Sequence, residues 1–408
     1  MKPKSSLLPV TAIVLLLLIS CCHCSERISI IAFCRERRIP GLQMFFDSEP
    51  AIDCNIIPAR ADGSLNEDQI ERQIRLYFPR TYSGMLEYDV IMILSASYDI
   101  MTTKQDAWIH DAISDGLGGL CGSSLFSQVP GIAESWSSGL AWQAFPNDAP
   151  AVIAIGAESK SSPCRIEINV DADLPILTIF KDMGVEDPAF DGETSRLMID
   201  REGSDVLAWQ LGNFPNRETF IAAWEYGEGK TIATGGKLPI GWLEYPRGTS
   251  GENEYSPEIV SNMVFWMANT SLIDDVEVFH RMKSDLSIFR SRLSVLLSLK
   301  DFIDRFGANT DRIQDEINPL HEIYADAEEL YLEHSFSESE ARIQAGLEQL
   351  GHAEEVARRE KDRALLWVYV IEWLAASSTF FVSGFVLWSL MVRRRLYQSV
   401  RTTKLRVQ

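Results

Sequence analysis

The sequence predicts an α/β domain with a doubly wound, mostly parallel sheet, followed by an α-helical stalk and one transmembrane helix. Three patterns support this fold class. Apolar β-branched runs alternate with amphipathic helices up to about residue 122, heptad-spaced apolar residues follow between 274 and 363, and an uncharged apolar run then ends in arginines. These patterns are typical of a parallel sheet covered by helices, of packed helices and of a bilayer-spanning segment.

The first 24 residues have the features of a secretory signal peptide. Lys2 and Lys4 precede an apolar stretch at residues 7–19, and small residues follow where cleavage is expected. Cys21 ends a lipobox-like string, Leu-Ile-Ser-Cys, which would make it a lipidation site, and an uncut leader would instead remain as an anchor. All three alternatives place residues 26–363 outside the cytoplasm.

Strands and helices alternate in the first part of the predicted α/β domain, residues 26–272. Residues 27–33 form an apolar run typical of a buried strand, and residues 88–95 give the strongest central strand. Thr102-Thr103 caps a helix that ends at Asp115-Gly116. The other elements predicted here are helices at 41–47, 66–77 and 104–114, a strand at 51–58, and a Gly-rich strand or turn at 118–122.

The second part of this domain, residues 150–272, is richer in strands. Gly227-Glu228-Gly229 indicates a tight hairpin. Ser256 is predicted as the N-cap of a helix that runs to residue 268, with Pro257 in its first turn. The strands are predicted at 151–155, 195–200, 205–210, 220–226 and 230–234, and we expect them to complete the same domain.

The stalk is predicted at residues 274–363 from heptad spacing. Phe279, Leu286 and Leu293 fall seven residues apart, and a second apolar series interleaves with them. Breaks at 307–310 and 335–339 divide the stalk into three helices, the last beginning at Glu340 and continuing toward the membrane. The short breaks favour an antiparallel three-helix bundle, and the alternative is a coiled coil that joins two copies. The interleaved series is Met282, Phe289, Leu296 and Ile303, and the second helix carries Ile313, Ile317, Leu320, Tyr324, Ala327 and Tyr331.

The transmembrane helix is predicted at residues 366–392. Residues 374–392 carry no charge, and at about 1.5 Å per residue they span roughly 28 Å, close to the thickness of a bilayer core. The tail, residues 393–408, is basic and has no acidic residue. Because positively charged flanks stay on the cytoplasmic side, we expect a single-pass cell-membrane protein with its N-terminal domain outside and its C-terminus in the cytoplasm.

The composition excludes some partners. The chain has 408 residues and a formal net charge of −20, and nucleic-acid binding requires a basic face. Anionic lipid is likewise disfavoured, except at the basic tail. The membrane bilayer and a protein partner or a second copy of the chain are the expected macromolecular contacts.

Four of the seven cysteines lie outside the leader. Cys34, Cys54, Cys121 and Cys164 are disulfide candidates with three possible pairings, and the alternative is four buried free thiols. Asn269, in Asn-Thr-Ser, is the glycosylation candidate.

Residues 26–270 resemble the class I glutamine amidotransferase-like fold in its non-catalytic form. The motifs that carry the resemblance are the strand at 88–95, the helix before the glycine string at 115–119, and Tyr-Gly-Glu-Gly-Lys at 226–230 followed by Trp242. The resemblance implies a flavodoxin-like sheet. It also implies a binding or scaffold role for an extracytoplasmic domain.

Cys121 is the one candidate nucleophile, and the sequence argues against it. Catalytic members of the family carry Gly-x-Cys-x-Gly, whereas residues 119–123 read Gly-Leu-Cys-Gly-Ser. Catalysis also needs a histidine base, which the family supplies from later in the domain, and no histidine lies between Cys121 and His280. We therefore predict no enzyme activity, and an extracytoplasmic cysteine hydrolase or amidotransferase is the alternative.

A ligand site is predicted beyond the carboxyl ends of the strands, where open α/β sheets bind ligands. Three arginines follow the first strand and could hold a carboxylate, a phosphate or an acidic sugar, so the expected ligand is an anionic small molecule or a glycan. No metal or cofactor motif is present. A further alternative is a single-pass receptor that signals through a partner. The site residues are Arg35, Arg37 and Arg38, with Ser95, Ser97 and Tyr98 after the third strand.

Overall fold

The computed structural model describes residues 27–35, 40–60, 65–94, 96, 98–122, 139–147, 165–183, 200–211, 217–234 and 255–404. The chain divides into two compact units. The first comprises Met1–Ser284 and Ala327–Glu340, and the second comprises Asp285–Asp326 and Ala341–Gln408.

The first unit contains one eight-stranded, mostly parallel sheet, which confirms the predicted α/β class. The strand order is β2-β1-β3-β4-β8-β7-β6-β5. The first five strands in this order run parallel to their neighbours, and the last three pairings are antiparallel. The strands are β1 Ile28–Arg35, β2 Ile52–Arg60, β3 Val90–Leu94, β4 Gly118–Gly122, β5 Arg165–Ile168, β6 Asp205–Leu211, β7 Glu218–Tyr226 and β8 Gly229–Thr234.

Most of the predicted strands are present in this sheet, and two of the predicted strands fall wholly or partly outside the described residues. The predicted strand at 151–155 and residues 195–199 of another lie outside the described residues. Asp200, the last residue of that second prediction, forms an isolated bridge with Asn147. The short strand β5 was not predicted from the sequence.

In the part of the chain that the structure describes, five helices accompany the sheet, and two of them have the capping boxes that their sequences favour. Asn66 and Thr102 each form a capping box with the Gln three residues later. The predicted N-cap Ser256 is wrong: Tyr255 occupies the N-cap position without a side-chain cap hydrogen bond, and Pro257 lies in the first turn. The helices are α1 Pro40–Ser48, α2 Glu67–Tyr77, α3 Tyr82–Met85, α4 Thr103–Ser114 and α5 Ser256–Met267.

Both faces of the central strands are buried, as their near-continuous apolar sequences require. On one face, Phe33 and Ile93 pack in a cluster that includes Ile74 of α2 and Ile109 of α4. The opposite face is also buried, including Ile30, Ala32, Met92 and Leu120. Helix α5 lies close to β4, because a Cβ on Gly118 would come within 2.6 Å of the Met267 carbonyl oxygen.

Three long helices follow. They are α6 Val276–Arg305, α7 Asp311–Leu332 and α8 Phe336–Lys404. The first break includes the predicted residues 307–310, whereas the second lies at residues 333–335, earlier than the predicted break at 335–339. Gly307 and His334, in the two breaks, have φ angles of 71° and 60°. Helix α8 begins four residues before the predicted start and continues without a break through residues 366–392.

The heptad residues pack within one chain. In the second unit, the Phe289 and Tyr324 rings stack at 5.8 Å between centroids. A Cβ on Gly346 of α8 would meet Ile323 at 2.7 Å and Phe289 at 3.0 Å. The Arg292 guanidinium pairs with the Glu354 carboxylate at 2.9 Å. These contacts support the three-helix bundle over a coiled coil formed only between copies.

The geometry of the β7–β8 hairpin turn can be tested by measuring the free energy of unfolding of glycine variants. Gly227 has φ +62°, and a Cβ there would lie 2.5 Å from the Ser114 carbonyl oxygen. We expect Gly227→Ala to lower the free energy of unfolding by about 3 kcal/mol, because left-handed strain and a backbone clash add. Gly203 has φ +87° and its nearest neighbour lies at 3.9 Å, so Gly203→Ala should cost only about 1 kcal/mol. Denaturant titrations of the two variants compare these values, and equal losses would contradict the turn geometry.

Candidate functional site

The predicted ligand residues converge on one edge of the sheet as far as the structure describes them. Arg35 is the last residue of β1, and Tyr98 lies in a short 3₁₀ turn, Tyr98–Ile100, after β3. The register pairs Cys34 with Leu94, so the segments after these two parallel strands leave the sheet side by side. Arg37, Arg38, Ser95 and Ser97 lie outside the described residues, and the ligand site stays a prediction.

The Tyr98 hydroxyl is hydrogen-bonded to a buried carboxylate that was not predicted from the sequence. It donates to Asp106 Oδ2 at 3.2 Å. The same carboxylate accepts the backbone N–H groups of Leu140 at 2.8 Å and Ala141 at 3.1 Å. Burial, and then Asp106, raise the pKa of Tyr98. Asp106 therefore fastens residues 139–147 to α4, and Tyr98 is part of that support.

Cys121 lies at the same edge, near the end of β4, but its surroundings oppose nucleophilic chemistry. Its side chain is buried and its Sγ donates to Asn147 Oδ1 at 3.8 Å. Burial raises the pKa of the Cys121 thiol far above its ordinary value, although Arg201 acts in the opposite direction. A thiol that stays protonated is a poor nucleophile.

His110, the histidine nearest to Cys121 in sequence, does not provide a base for the Cys121 thiol. His110 Nε2 lies 2.8 Å from the Tyr226 hydroxyl, and His110 Nδ1 lies 2.9 Å from Asp111 Oδ1. Both nitrogens are therefore engaged away from Cys121. Arg201 is likewise engaged, because its guanidinium donates to the carbonyls of Asn147 at 3.1 Å and Trp142 at 3.3 Å.

Three of the disulfide candidates are free thiols in the structure. Cys34 and Cys121 are buried and Cys54 is half-buried. Burial raises the pKa of Cys34 to about 12, and it is also the main cause of a raised pKa for Cys54. This state corresponds to the buried-thiol alternative for these residues. Cys164 lies outside the described residues.

The first unit also contains a buried ionic cluster that the sequence did not predict. We use this name for Glu49, Glu258, Ser261, His280, Lys283 and Tyr331. The Glu49 side chain is fully buried, and its Oε2 lies 2.7 Å from Lys283 Nζ. The Glu49 carboxylate also accepts hydrogen bonds from Ser261 Oγ at 2.8 Å and from the Tyr331 hydroxyl.

A second carboxylate extends the ionic cluster. Glu258 Oε1 lies 3.2 Å from His280 Nδ1 and 3.9 Å from Lys283 Nζ. The Lys283 ammonium also lies 5.5 Å from the Phe45 ring centroid and 5.3 Å from that of Phe279. Because buried charges are stable only when paired and hydrogen-bonded, the cluster ties the end of α1, helix α5, the start of α6 and the end of α7 into one packed unit.

A polar pocket of about 520 Å³ lies at the amino ends of β1 and β2. Its lining mixes charges of both signs, including Asp53, Arg80 and Glu87, with Asn55 and Tyr88. It lies at the sheet edge opposite the predicted ligand site. Among the described residues, no group of three or more His, Cys, Asp or Glu side chains has an arrangement suited to a metal ion.

The last part of helix α8 presents an uncovered apolar surface. None of residues 365–397 is buried, and Phe380, for example, is 77% exposed. By length and composition, α8 is the one helix of the described residues that could cross a membrane.

No protein-family model matches the chain, and no curated protein matches it.

The ionic cluster predicts unequal effects of two matched lysine substitutions. Lys283→Met leaves the Glu49 charge buried without its cation, and we expect a loss of about 3–5 kcal/mol in the free energy of unfolding. Lys300 pairs with Asp304 at 3.6 Å nearer the surface, so Lys300→Met should cost less than about 1 kcal/mol. Urea titrations of both full-length variants in the same buffer provide the comparison. Similar losses would show that the cluster is not a principal support.

The environment of Cys121 predicts an inert thiol. Between pH 6 and pH 8 the thiol stays protonated because its pKa is raised, so iodoacetamide should leave Cys121 unmodified in the folded protein. After unfolding in urea the same residue should react, and peptide mapping distinguishes it from the other cysteines. Rapid alkylation that does not change over this pH range would instead reveal a thiolate and restore the hydrolase alternative.

Proposed function

We propose that the chain is a single-pass membrane protein whose extracytoplasmic, amidotransferase-like domain serves as a non-catalytic binding or scaffold module. The observation that carries the proposal is the uncovered apolar surface of α8. Burying one large apolar side chain is worth about 1.5–3 kcal/mol, so some ten such side chains left in water would cost on the order of 20 kcal/mol. A bilayer removes this cost.

The strand order supports an amidotransferase-like or flavodoxin-like sheet. The parallel strands lie in the order β2-β1-β3-β4-β8, which is the order 2-1-3-4-5 of flavodoxin-like sheets when β8 counts as the fifth parallel strand. In such sheets ligands bind beyond the carboxyl ends of the strands. Arg35, at the end of β1, lies at that edge and favours an anionic ligand or a glycan.

The chemistry near this edge supports binding over catalysis. Cys121 is buried and held protonated, and both nitrogens of His110 are bound elsewhere. The segment 139–147 that covers the Cys121 thiol is fastened by Asp106. A module of this kind recognises a molecule or a partner without transforming it.

The basic residues after the proposed span support the proposed orientation in the membrane. The segment after residue 392 is basic and contains Arg393, Arg394 and Arg395, and positive flanks remain on the cytoplasmic side. The α/β domain and the bundle precede the span in sequence, so a single crossing puts them on the other side. A signal peptide at residues 1–24 would deliver them there.

This orientation predicts the labelling of two introduced cysteines in intact cells. Glu348 is exposed in the bundle region of α8, and Gln398 follows the arginines. A membrane-impermeant maleimide should label Glu348→Cys in intact cells, and it should label Gln398→Cys only after permeabilisation. The unsubstituted protein provides the background, because Cys34 and Cys121 are buried. Labelling of Gln398→Cys but not Glu348→Cys in intact cells would overturn the proposed topology.

A further inference from the structure

Helix α6 and the residue after it carry a second apolar seam, which faces outward. We call it the outer stripe and define it as Ile288, Val295, Leu299, Phe302 and Phe306. Ile288, Val295 and Phe302 are spaced seven residues apart, and Leu299 and Phe306 interleave at steps of three and four. Ile288 is 44%, Val295 66%, Phe302 42% and Phe306 44% exposed. This a/d spacing is the pattern of a helix that packs along another helix.

The outer stripe is distinct from the seam that holds the bundle together. Phe289, Leu296 and Ile303, each one residue after a member of the stripe, are buried within the chain. Of the described residues at 285–363, the large apolar side chains that are exposed all lie in α6 or directly after its end: Ile288, Val295, Leu297, Phe302 and Phe306. The exposed apolar surface of the bundle is therefore confined to α6 and the residue that follows it.

The bilayer cannot cover the upper part of the outer stripe. Arg292, between Ile288 and Val295, pairs with Glu354 at 2.9 Å, which fixes its level along α8. Residue 354 lies twelve residues before the predicted span at 366–392, or roughly 18 Å along the helix axis. Ile288 and Val295 therefore need protein rather than lipid to remove them from water. This step depends on the membrane anchor of the proposed function.

We propose that the outer stripe is the contact between two copies of this chain, packed as a parallel helix pair. A shared membrane gives every copy the same orientation and places the stripe at the same height. A two-fold axis along the membrane normal then brings each residue of the stripe to its own equivalent, which makes the surface self-complementary. The a/d spacing is compatible with such parallel, in-register pairing.

Charge permits this self-association although the whole chain has a net charge of −20. Four basic residues and three acidic residues lie between 285 and 306, so the helix itself is close to neutral. Ser291 and Ser298, which flank the outer stripe, are small and uncharged, and they let two helices approach closely. The basic residues are Arg290, Arg292, Lys300 and Arg305, and the acidic residues are Asp285, Asp301 and Asp304.

The proposed membrane segment of α8 has a composition that is compatible with the same pairing. Ala375, Thr379 and Ser383 are spaced four residues apart, and small residues at this spacing allow membrane helices to pack closely. Ala375 follows the buried Ala364 by eleven residues, which is three helical turns. The small side chains thus continue the face of α8 that is buried in the bundle.

Disulfide cross-linking in native membranes tests the pairing. The variant is Val295→Cys in the full-length protein, and the matched control is Glu355→Cys, an exposed position near the same level. After oxidation, we expect Val295→Cys to give a product of twice the monomer mass, at least five-fold more abundant than that of Glu355→Cys. Absence of this product, or a product of another mass that reveals a different protein, would overturn the proposal.

A charge substitution separates true pairing from random collision. Val295→Glu should abolish the dimer seen by single-molecule photobleaching of a labelled chain at low density, whereas Ser294→Glu, at the neighbouring exposed position, should retain it. Equal dimer fractions for these variants would contradict the outer stripe as the contact. Carbonate extraction of the same membranes tests the membrane anchor separately from the pairing. A protein that is released by carbonate has no membrane anchor. A protein that is retained but remains a monomer has the anchor without the pairing.

Discussion

Helix α8 passes from a protein interior into an uncovered apolar segment without a break, and the functional account depends on this transition. Up to Ala364 it buries one face, at Ile343, Leu350, Ala353 and Ala357. From residue 365 to residue 397 no side chain is buried. A helix satisfies its backbone hydrogen bonds internally, so it is one of the few structures that can continue from water into hydrocarbon. The proposed sidedness of the α/β domain and the proposed height of the outer stripe both depend on a crossing by this segment.

The ionic cluster explains how the α/β domain is joined to the helices that follow it. Glu49 and Tyr331 are 282 residues apart in sequence and hydrogen-bonded in a buried site. Burial raises the pKa of Tyr331 well above its ordinary value, and the adjacent Glu49 charge raises it further, so the hydroxyl remains a donor to that carboxylate. Charges without water around them tolerate little displacement. The first turns of α6 and the last turns of α7 are thus fixed to the α/β domain, and they belong to the same compact unit.

Elements with strong local signals were predictable from sequence. The strands β1 and β3 are continuous apolar runs, Thr102 is a capping-box residue, and the heptad positions of α6 have their expected burial. The four-residue strand β5 is too short for such a signal. The predicted N-cap Ser256 shifted by one residue because serine is tolerated equally in the first turn, where Pro257 fixes the backbone. Local patterns thus specified most elements but not their ends.

The features of the site likewise differ in whether local sequence could predict them. The proximity of the β1 and β3 ends was predictable because parallel neighbours end at one edge. The roles of Asp106 and Glu49 were not, since an acidic residue in or beside a helix usually indicates solvent exposure. Each becomes a structural support only through partners distant in sequence: Leu140 and Ala141 for Asp106, and Ser261, Lys283 and Tyr331 for Glu49. Sequence periodicity carries no information about such pairings.

The most direct test of the membrane crossing is a scan of spin-label accessibility along α8. Single spin labels would be placed in turn at residues 366–397 of the full-length protein in liposomes. For a bilayer-spanning helix, the ratio of oxygen accessibility to accessibility for a water-soluble nickel complex should rise from Trp367, peak near Val382 and fall again toward Tyr397. High nickel accessibility near Val382 would contradict a bilayer-spanning helix.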